Sequence, residues 1–219
     1  MKKTILLMLI CLFGLTGCAS NTKKSEDTSN ISSSNQENTQ KGVMSEGLLL
    51  NSISKDSIII GYDDIYAGKK IDLNVDLDND GAEETFEIKR DTPNGVFVGG
   101  YSGNVGVNMV NDFDGDIKAF DEFGDLKEGY FLQVTCYDLD HDGIKEVFTS
   151  VGDKLIEMQT VLHRFVKNSS DLFEVVGRMW GQEYQYIDDS TNEIIVPYGS
   201  QGLYDSYLYT NKSLYTQTN

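Results

Sequence analysis

The sequence predicts an all-β protein with antiparallel strands, and two kinds of segment support this class. TFEIKR (residues 85–90) and YFLQVTCY (130–137) alternate apolar and polar residues, which is the pattern of a strand with one buried face. SIII (57–60), GVFVGG (95–100) and EIIVPY (193–198) are rich in the β-branched and aromatic residues that strands favour. Beyond the first twenty residues no segment has apolar residues at helical spacing over a dozen positions, so we expect no long helix.

Two turn signals indicate that neighbouring strands pair as hairpins. TPNGV (92–96) places Pro, Asn and Gly between two strand-like runs, and DDSTN (188–192) stands directly before EIIVPY. The segment from Asn111 to Gly129 fits neither pattern. For that segment the sequence leaves a short helix and a long turn as alternatives.

The first seventeen residues have the features of a secretory signal. Lys2 and Lys3 precede the apolar run TILLMLICLFGLTG, which is too short to span a bilayer comfortably and suits a signal peptide. The segment then reads LTGC (Leu15–Cys18), which resembles the lipobox of bacterial lipoproteins. That resemblance implies cleavage before Cys18 and attachment of a diacylglyceryl group to its thiol. Two acyl chains anchor a protein stably where one does not, so we expect a membrane-anchored lipoprotein on the extracytoplasmic side of the bacterial cell envelope.

The sequence predicts that residues 18–45 consist of a lipidated cysteine followed by a disordered tether. The segment is rich in Ser, Asn, Thr and Gln and cannot bury enough apolar surface to fold. A flexible chain of this length reaches roughly 30 Å. The folded domain is therefore expected at residues 46–219. After cleavage only Cys18 and Cys136 would remain, and because Cys18 would be acylated no intramolecular disulfide is available.

The predicted domain is strongly acidic. Residues 46–219 hold 10 Lys and 3 Arg against 32 Asp and Glu, which gives a formal charge of −19. Such a surface repels nucleic acid, and the sequence has no basic patch that would bind it. Nine of the 32 acidic residues lie in or beside two short stretches of similar sequence.

These two stretches are DLDNDGAEE (76–84) and DLDHDGIKE (138–146), which share the pattern D-L-D-x-D-G-x-x-E. An EF-hand loop would carry a bidentate Glu at position 12 and a helix on either side. The first stretch has Glu87 at that position but strand-like segments around it, and the second has Thr149 there. We therefore interpret both stretches as tight loops between two strands, with an acidic ligand at position 9.

Both stretches resemble the ion-binding loops of FG-GAP and VCBS-type repeats, which occur in integrin alpha-subunit propellers and in many bacterial surface proteins. That family usually has Asp at position 9, where this chain has Glu84 and Glu146. The loops begin 62 residues apart, close to the usual length of one such repeat. At that length the domain holds at most about three units, whereas propellers close with four or more. The resemblance therefore implies an antiparallel meander or a partial β-propeller-like domain, and a β-sandwich is the alternative.

The residue types in each loop point to calcium, which takes about six to eight oxygen ligands in a flexible shell. The pattern contains no nitrogen or sulfur ligands, which disfavours zinc and copper. Glycine at position 6 permits the sharp turn, and the leucine at position 2 is expected to point into the core. The predicted ligands of the two calcium sites are Asp76, Asp78, Asp80, the Ala82 carbonyl and Glu84, and Asp138, Asp140, Asp142, the Ile144 carbonyl and Glu146.

The sequence carries no recognisable catalytic motif, and we do not expect an enzyme. His141 and His163 stand in no nucleophile or zinc signature, and His141, at loop position 4, is expected to face solvent. Cys136 lies mid-strand and is expected to be a small buried hydrophobe. Acidic pairs for glycoside hydrolysis could be assembled from so many carboxylates. A cell-envelope hydrolase acting on glycan or peptide therefore remains the alternative function.

Seven of the 12 tyrosines lie between Tyr184 and Tyr215, with Trp180 just before them. Half-buried strands commonly carry tyrosine, which is the first interpretation. The second is a ligand face for a glycan or protein of the envelope. Tyr207 and Tyr209 would form such a face because alternate residues share one side of a strand. The predicted function is therefore a lipid-anchored, calcium-stabilised binding module on the bacterial cell surface.

Overall fold

A computed structural model describes residues 48–49, 56–153, 156–182, 184–188, 190–198 and 202–217, which all belong to one compact unit, residues 43–219. The predicted signal peptide, Cys18 and the tether lie outside the described residues. Within the described ranges, no helix is long and apolar enough to cross a membrane.

The described residues form three antiparallel sheets, which confirms the all-β prediction. All five strand-like segments named above lie in strands or extend them by one residue. In chain order the strands are β1 (Leu48–Leu49), β2 (Ser57–Gly61), β3 (Ile71–Val75), β4 (Glu84–Arg90), β5 (Val96–Ser102), β6 (Val105–Asn108), β7 (Phe131–Tyr137), β8 (Glu146–Gly152), β9 (Met158–Phe165), β10 (Phe173–Gly181), β11 (Tyr186–Asp188), β12 (Glu193–Tyr198), β13 (Leu203–Thr210) and β14 (Ser213–Gln217).

Each sheet is built around four consecutive strands that pair with their neighbours in sequence, as a meander does. The first sheet has the order β3-β4-β5-β6. The second has the order β10-β9-β8-β7-β2, so the early strand β2 is added beside β7. The third has the order β1-β11-β12-β13-β14.

The second sheet packs against both other sheets, so its central strands are buried on two faces. In β8, Val147 and Val151 join a larger core that includes Phe86 of the first sheet. Phe148 joins a smaller core with Ile194 of the third sheet. Successive side chains of a strand point to opposite faces, so one strand supplies both cores. This explains why all seven residues of β8 are buried.

The connections follow the sequence signals closely. The turn at residues 92–96 joins β4 to β5, and the turn at 188–192 joins β11 to β12. A short 3₁₀ helix, Met109–Asp112, overlaps the start of the region from Asn111 to Gly129. The rest of that region is a long turn with a single bridge, between Phe120 and Leu126.

One short helix was not predicted. It is α1 (Tyr62–Tyr66), which follows β2 directly and buries Ile65 in the larger core. Five residues are too few to show a helical period in the sequence.

Candidate metal sites and an aromatic cleft

The two acidic stretches are hairpin loops with the same backbone shape. The first loop (residues 76–84) joins β3 to β4, and the second loop (residues 138–146) joins β7 to β8. Position 4 is left-handed in both, with φ of 57° and 58°, and so is the glycine at position 6, with φ of 86° and 90°. A glycine adopts such angles at little cost, whereas most other residues are strained by them. The residues concerned are Asn79, Gly81, His141 and Gly143.

The aspartate at position 1 closes each turn. Asp76 Oδ2 accepts a hydrogen bond from the backbone N–H of Gly81 at 3.0 Å, and Asp138 Oδ2 accepts one from Gly143 at the same distance. These bonds draw the tip of the loop back over its first residue. Backbone hydrogen bonds therefore hold the carboxylates of each loop close together.

The glutamate at position 9, whose side chain is one methylene longer than that of aspartate, also accepts a hydrogen bond from the loop backbone. Glu84 Oε2 accepts a hydrogen bond from the backbone N–H of Leu77 at 3.1 Å, and Glu146 Oε2 accepts one from Leu139 at 3.0 Å. Leu77 and Leu139 are fully buried, as predicted, and the two glutamates are 2% and 3% exposed. Each glutamate thus joins the beginning of its loop to the strand that follows.

Three carboxylates converge in each loop. In the first loop, Asp76, Asp78 and Glu84 each offer one oxygen, and these oxygens lie within 4.8 Å of one another. Asp138, Asp140 and Glu146 form the same arrangement in the second loop. Such a group of oxygens could hold a metal ion.

One carboxylate oxygen in each group is buried without a hydrogen-bond partner. These atoms are Oδ1 of Asp78 and Oδ1 of Asp138. A buried charged oxygen without a partner is costly, and a cation is the partner that would remove the cost. The donor set therefore fits a hard metal ion.

The third aspartate of each loop lies outside these groups. Asp80 Oδ1 accepts a hydrogen bond from the N–H of Ala82, and Asp142 Oδ1 accepts one from Ile144, both at 2.8 Å. The ammonium of Lys167 forms ion pairs with Asp80 Oδ2 and, at 2.7 Å, with Asp78 Oδ2. In the first loop, a cationic side chain of the protein, Lys167, thus contacts two of the predicted metal ligands, Asp78 and Asp80.

The two loops are joined to each other and to a third hairpin. Lys145 donates its backbone N–H to the carbonyl of Leu77 at 2.9 Å, and the side-chain amide of Asn79 donates to the carbonyl of Gly143 at 2.6 Å. In the turn between β11 and β12, the side chain of Asn192 donates to the carbonyl of Leu139. The carbonyl at loop position 2 therefore accepts a hydrogen bond from a hairpin of the following sheet in both loops.

The surroundings of Glu146 differ from those of the first loop. Burial raises the pKa of Glu146 to about 7, although hydrogen bonds from Leu139 and from the hydroxyl of Tyr209 act in the opposite direction. Tyr209 is 3% exposed and belongs to the smaller core, and Tyr207 packs against that core while half-buried. These two rings, considered above as a ligand face, therefore pack against the smaller core, and Tyr209 also contacts Glu146 of the second loop.

Exposed aromatic side chains instead line a cleft of about 420 Å³. Trp180 at the end of β10 and Tyr198 at the end of β12 are each 37% exposed. The backbone N–H of Gln182 donates to the carbonyl of Pro197 at 3.0 Å, which links the two strand ends. We call this feature the aromatic cleft, and its lining residues are Lys118, Tyr130, Ile156, Glu157, Trp180, Gly181, Gln182 and Tyr198.

Glu157 contributes the one carboxylate among the described residues that line the aromatic cleft. Its Oε2 accepts a hydrogen bond from the Tyr130 hydroxyl at 3.1 Å, and its Oε1 accepts one from the Lys118 backbone N–H at 3.5 Å. Burial, together with this contact to Glu157, raises the pKa of Tyr130 to about 12. The carboxylate is thus held in place by two donors from different segments.

Cys136 and His141 lie where the sequence predicts. Cys136 is 1% exposed, and burial raises the pKa of its thiol. His141 is exposed at the tip of the second loop. His163 is buried and its Nε2 lies 3.0 Å from Asp112 Oδ2.

No protein-family model, curated protein or solved structure was found to match this chain. The function is therefore inferred from the geometry of the loops and of the aromatic cleft.

Lys167, Trp180 and Tyr198 were not identified as site residues in the sequence. Lys167 is 87 residues from Asp80, and no local pattern links them. Trp180 stood out only as the single tryptophan beside a tyrosine-rich segment.

Proposed function

We propose that this chain is a lipid-anchored, calcium-stabilised binding module of the bacterial cell envelope. The observation that carries the proposal is the pair of joined loops. In each loop three carboxylates converge, and one buried carboxylate oxygen has no hydrogen-bond partner. The ions would hold two neighbouring sheets together. The loops are thus structural sites in this proposal, and binding takes place elsewhere on the domain.

Calcium is the ion that best suits these donors. Its flexible shell of oxygens at about 2.3–2.6 Å tolerates an irregular set of carboxylates and carbonyls, whereas magnesium requires a tighter octahedron and retains its waters. Asp76, Asp78 and Glu84 would hold one ion, and Asp138, Asp140 and Glu146 the other. Asp80, Asp142 and the carbonyls of Ala82 and Ile144 are the further ligands we expect.

The energetic reason for a bound ion is repulsion between like charges. Three negatively charged carboxylates held close together in one loop repel one another and push the loop open. A divalent cation removes this repulsion and binds the folded loop far better than the unfolded chain. Because the loops join β3 to β4 and β7 to β8, the ions would stabilise the first and second sheets at the point where the loops meet.

The test is thermal unfolding of the purified protein in chelator, in magnesium and in calcium. Extracellular calcium modules have dissociation constants of about 0.1–1 mM, and at a tenfold excess each site adds about 1.4 kcal/mol. Calcium should therefore raise the melting temperature by several degrees and magnesium much less. Asp78→Ala and Asp140→Ala should each remove about half of the calcium effect, while Asp116→Ala, at an exposed position outside the loops, should not reduce it. Identical melting in chelator and in calcium would refute the metal sites.

The anchoring part of the proposal is supported by the LTGC segment, Leu15–Cys18. Cys18→Ser removes the thiol that would carry the lipid. The variant should move from the detergent-rich phase to the aqueous phase, because it has no thiol to carry the diacylglyceryl group whose two acyl chains anchor the protein. Unchanged partitioning of the variant would contradict lipid anchoring.

Binding is favoured over hydrolysis by the composition of the aromatic cleft. Glycoside hydrolysis generally uses two carboxylates that flank the scissile bond. The described residues lining the cleft provide Glu157 alone. A surface with exposed rings and one fixed carboxylate is suited to holding a ligand.

A further inference from the structure

We infer that the aromatic cleft binds an uncharged oligosaccharide. This inference rests on the proposed binding function and deepens it, because it names the site and the chemical class of the ligand. It is carried by the exposed rings, the fixed carboxylate, the charge and the size of the cleft.

The rings supply flat apolar surfaces at the mouth of the cleft. Trp180 and Tyr198 each leave 37% of their surface exposed, and Ile156 leaves 72% exposed. In β10 the neighbouring Met179 is fully buried, and because successive side chains alternate, Trp180 points away from that core. A sugar ring has apolar C–H faces and polar edges, which match rings that combine an apolar body with a polar tip.

The polar groups of the cleft suit hydroxyl groups. Glu157 is already fixed by Tyr130 and by the N–H of Lys118, and two carboxylate oxygens together offer about four lone-pair sites. Ligand hydroxyls can therefore donate to a carboxylate whose position is set before binding. The link from Gln182 to Pro197 holds the two sides of the cleft together, so the site is preformed as ligand pockets usually are.

The charge of the molecule argues against an anionic ligand. Lys118 and Glu157 are the two charged residues among the described residues of the lining, and they balance each other. Residues 46–219 carry a formal charge of −19, which repels anionic polymers as they approach. An uncharged ligand meets no such barrier.

The size of the cleft fits part of a chain of sugars. Small-ligand sites typically measure about 300–1,000 Å³, and the cleft measures about 420 Å³. One or two sugar rings would be held between the aromatic side chains, with the rest of the oligosaccharide extending into solvent.

The single tryptophan of the chain lies in the cleft, so intrinsic fluorescence reports on this site directly. The full chain, in a detergent without sugar groups, is titrated with chitotetraose, cellotetraose and the anionic tetragalacturonate. We expect a saturable change in Trp180 emission with at least one uncharged tetramer, at a dissociation constant of about 0.1–1 mM. The anionic tetramer should cause none.

Matched variants locate the site. Tyr198→Ala keeps the fluorescent reporter and should weaken binding about tenfold, and Glu157→Gln should weaken it by a similar factor because a fixed anionic acceptor is lost. Tyr215→Ala, at a ring that is 51% exposed and is not among the lining residues, should bind as the natural sequence does. Trp180→Phe, followed by calorimetry, should bind more weakly while retaining its melting temperature.

Several outcomes would overturn the inference. These are no saturable change with any uncharged tetramer up to about 10 mM, equal binding by Tyr198→Ala, or saturation by casein-derived peptides alone. Melting in calcium is measured on the same samples. A rise in melting temperature with calcium but no sugar binding would refute the oligosaccharide assignment and not the metal sites. Sugar binding with no such rise in melting temperature would refute the metal sites and not the oligosaccharide assignment.

Discussion

The side-chain amide of Asn79 donates a hydrogen bond to the carbonyl oxygen of Gly143 at 2.6 Å, which ties the tip of the first loop to the turn of the second. The backbone of Lys145 donates in return to the carbonyl of Leu77 at 2.9 Å. The two loops therefore share contacts in both directions. An ion that orders one loop should favour binding at the other, because the groups it orders are partners of the second site.

Replacing Asn79 should weaken this coupling. Asn79→Gly removes the amide but keeps a residue that accepts the φ of 57°. We expect the free energy of unfolding in calcium to fall by about 1 kcal/mol, the usual net value of a hydrogen bond. Calorimetric titration with calcium should show weaker cooperativity than in the natural sequence.

The matched control for this change is His141→Gly. His141 holds the same loop position with φ of 58° and is exposed, so the variant reproduces the effect of glycine on the unfolded chain. If both variants lose the same stability and the same cooperativity, the contact between Asn79 and Gly143 does not couple the loops.

Tyr209 should prove structural. Its ring is 3% exposed and packs in the smaller core, so Tyr209→Ala should lower the free energy of unfolding by about 3–5 kcal/mol, as truncation of a large buried ring does. Tyr204→Ala, at a ring that is 45% exposed, should change it by about 0.5 kcal/mol or less. Denaturant unfolding of both variants measures the difference, and similar values for the two would contradict the buried position of Tyr209.

The loops could be predicted from the sequence because their chemistry is local. The pattern from Asp76 to Glu84 places carboxylates, a turn glycine and a core leucine within nine residues, and the structure places Gly81 and Leu77 as that pattern requires. The strands flanking the loops were equally local, since alternation alone identified β4 and β7.

The remaining features depend on contacts that no short pattern encodes. Alternation predicted that Tyr207 and Tyr209 share a side of β13, but only packing against the second sheet decides that this side faces a core. The aromatic cleft brings Tyr130 and Glu157 together with Trp180 and Tyr198 from later strands. Such a site exists only once the four segments that carry these residues have packed together.

Stability at acid pH should depend on the pair formed by Arg90 and Asp125. Arg90 donates from Nε to Asp125 Oδ1 at 3.1 Å and from Nη2 to Oδ2 at 2.8 Å. These bonds, aided by one from Tyr66, hold the pKa of Asp125 below its usual value. The stabilisation is complete above the unfolded carboxyl pKa of about 3.9 and is lost as the pH falls through the lower folded-state pKa.

Asp125→Asn should therefore lower the melting temperature at pH 7 by about 2–4 °C, and the difference from the natural sequence should shrink as the pH falls below about 4. Circular dichroism melts across this pH range provide the measurement. Asp116→Asn makes the same charge change at an exposed position and should leave the pH profile unaltered. A constant difference between Asp125→Asn and the natural sequence at all pH values would rule out the ion pair as its source.

Lys167 should compete with calcium for the first loop. Its ammonium contacts Asp78 and Asp80, and these hydrogen bonds raise the pKa of Lys167, so the side chain stays protonated at neutral pH. An ion entering the first loop must displace this internal cation. Lys167→Met should therefore tighten calcium binding at the first loop severalfold and lower the melting temperature in chelator, where the carboxylates would lose their partner.

Calorimetry on the Asp140→Ala background isolates the first loop for this measurement. Lys127→Met removes the same charge from an exposed position with no ion pair to either loop among the described contacts, and it corrects for the general effect of net charge on calcium affinity. Because ammonium and calcium compete for the same oxygens, the effect of Lys167→Met should exceed that of Lys127→Met at both low and moderate salt. Equal calcium affinities for the two lysine variants would mean that Lys167 is a surface ion pair with no bearing on the metal site.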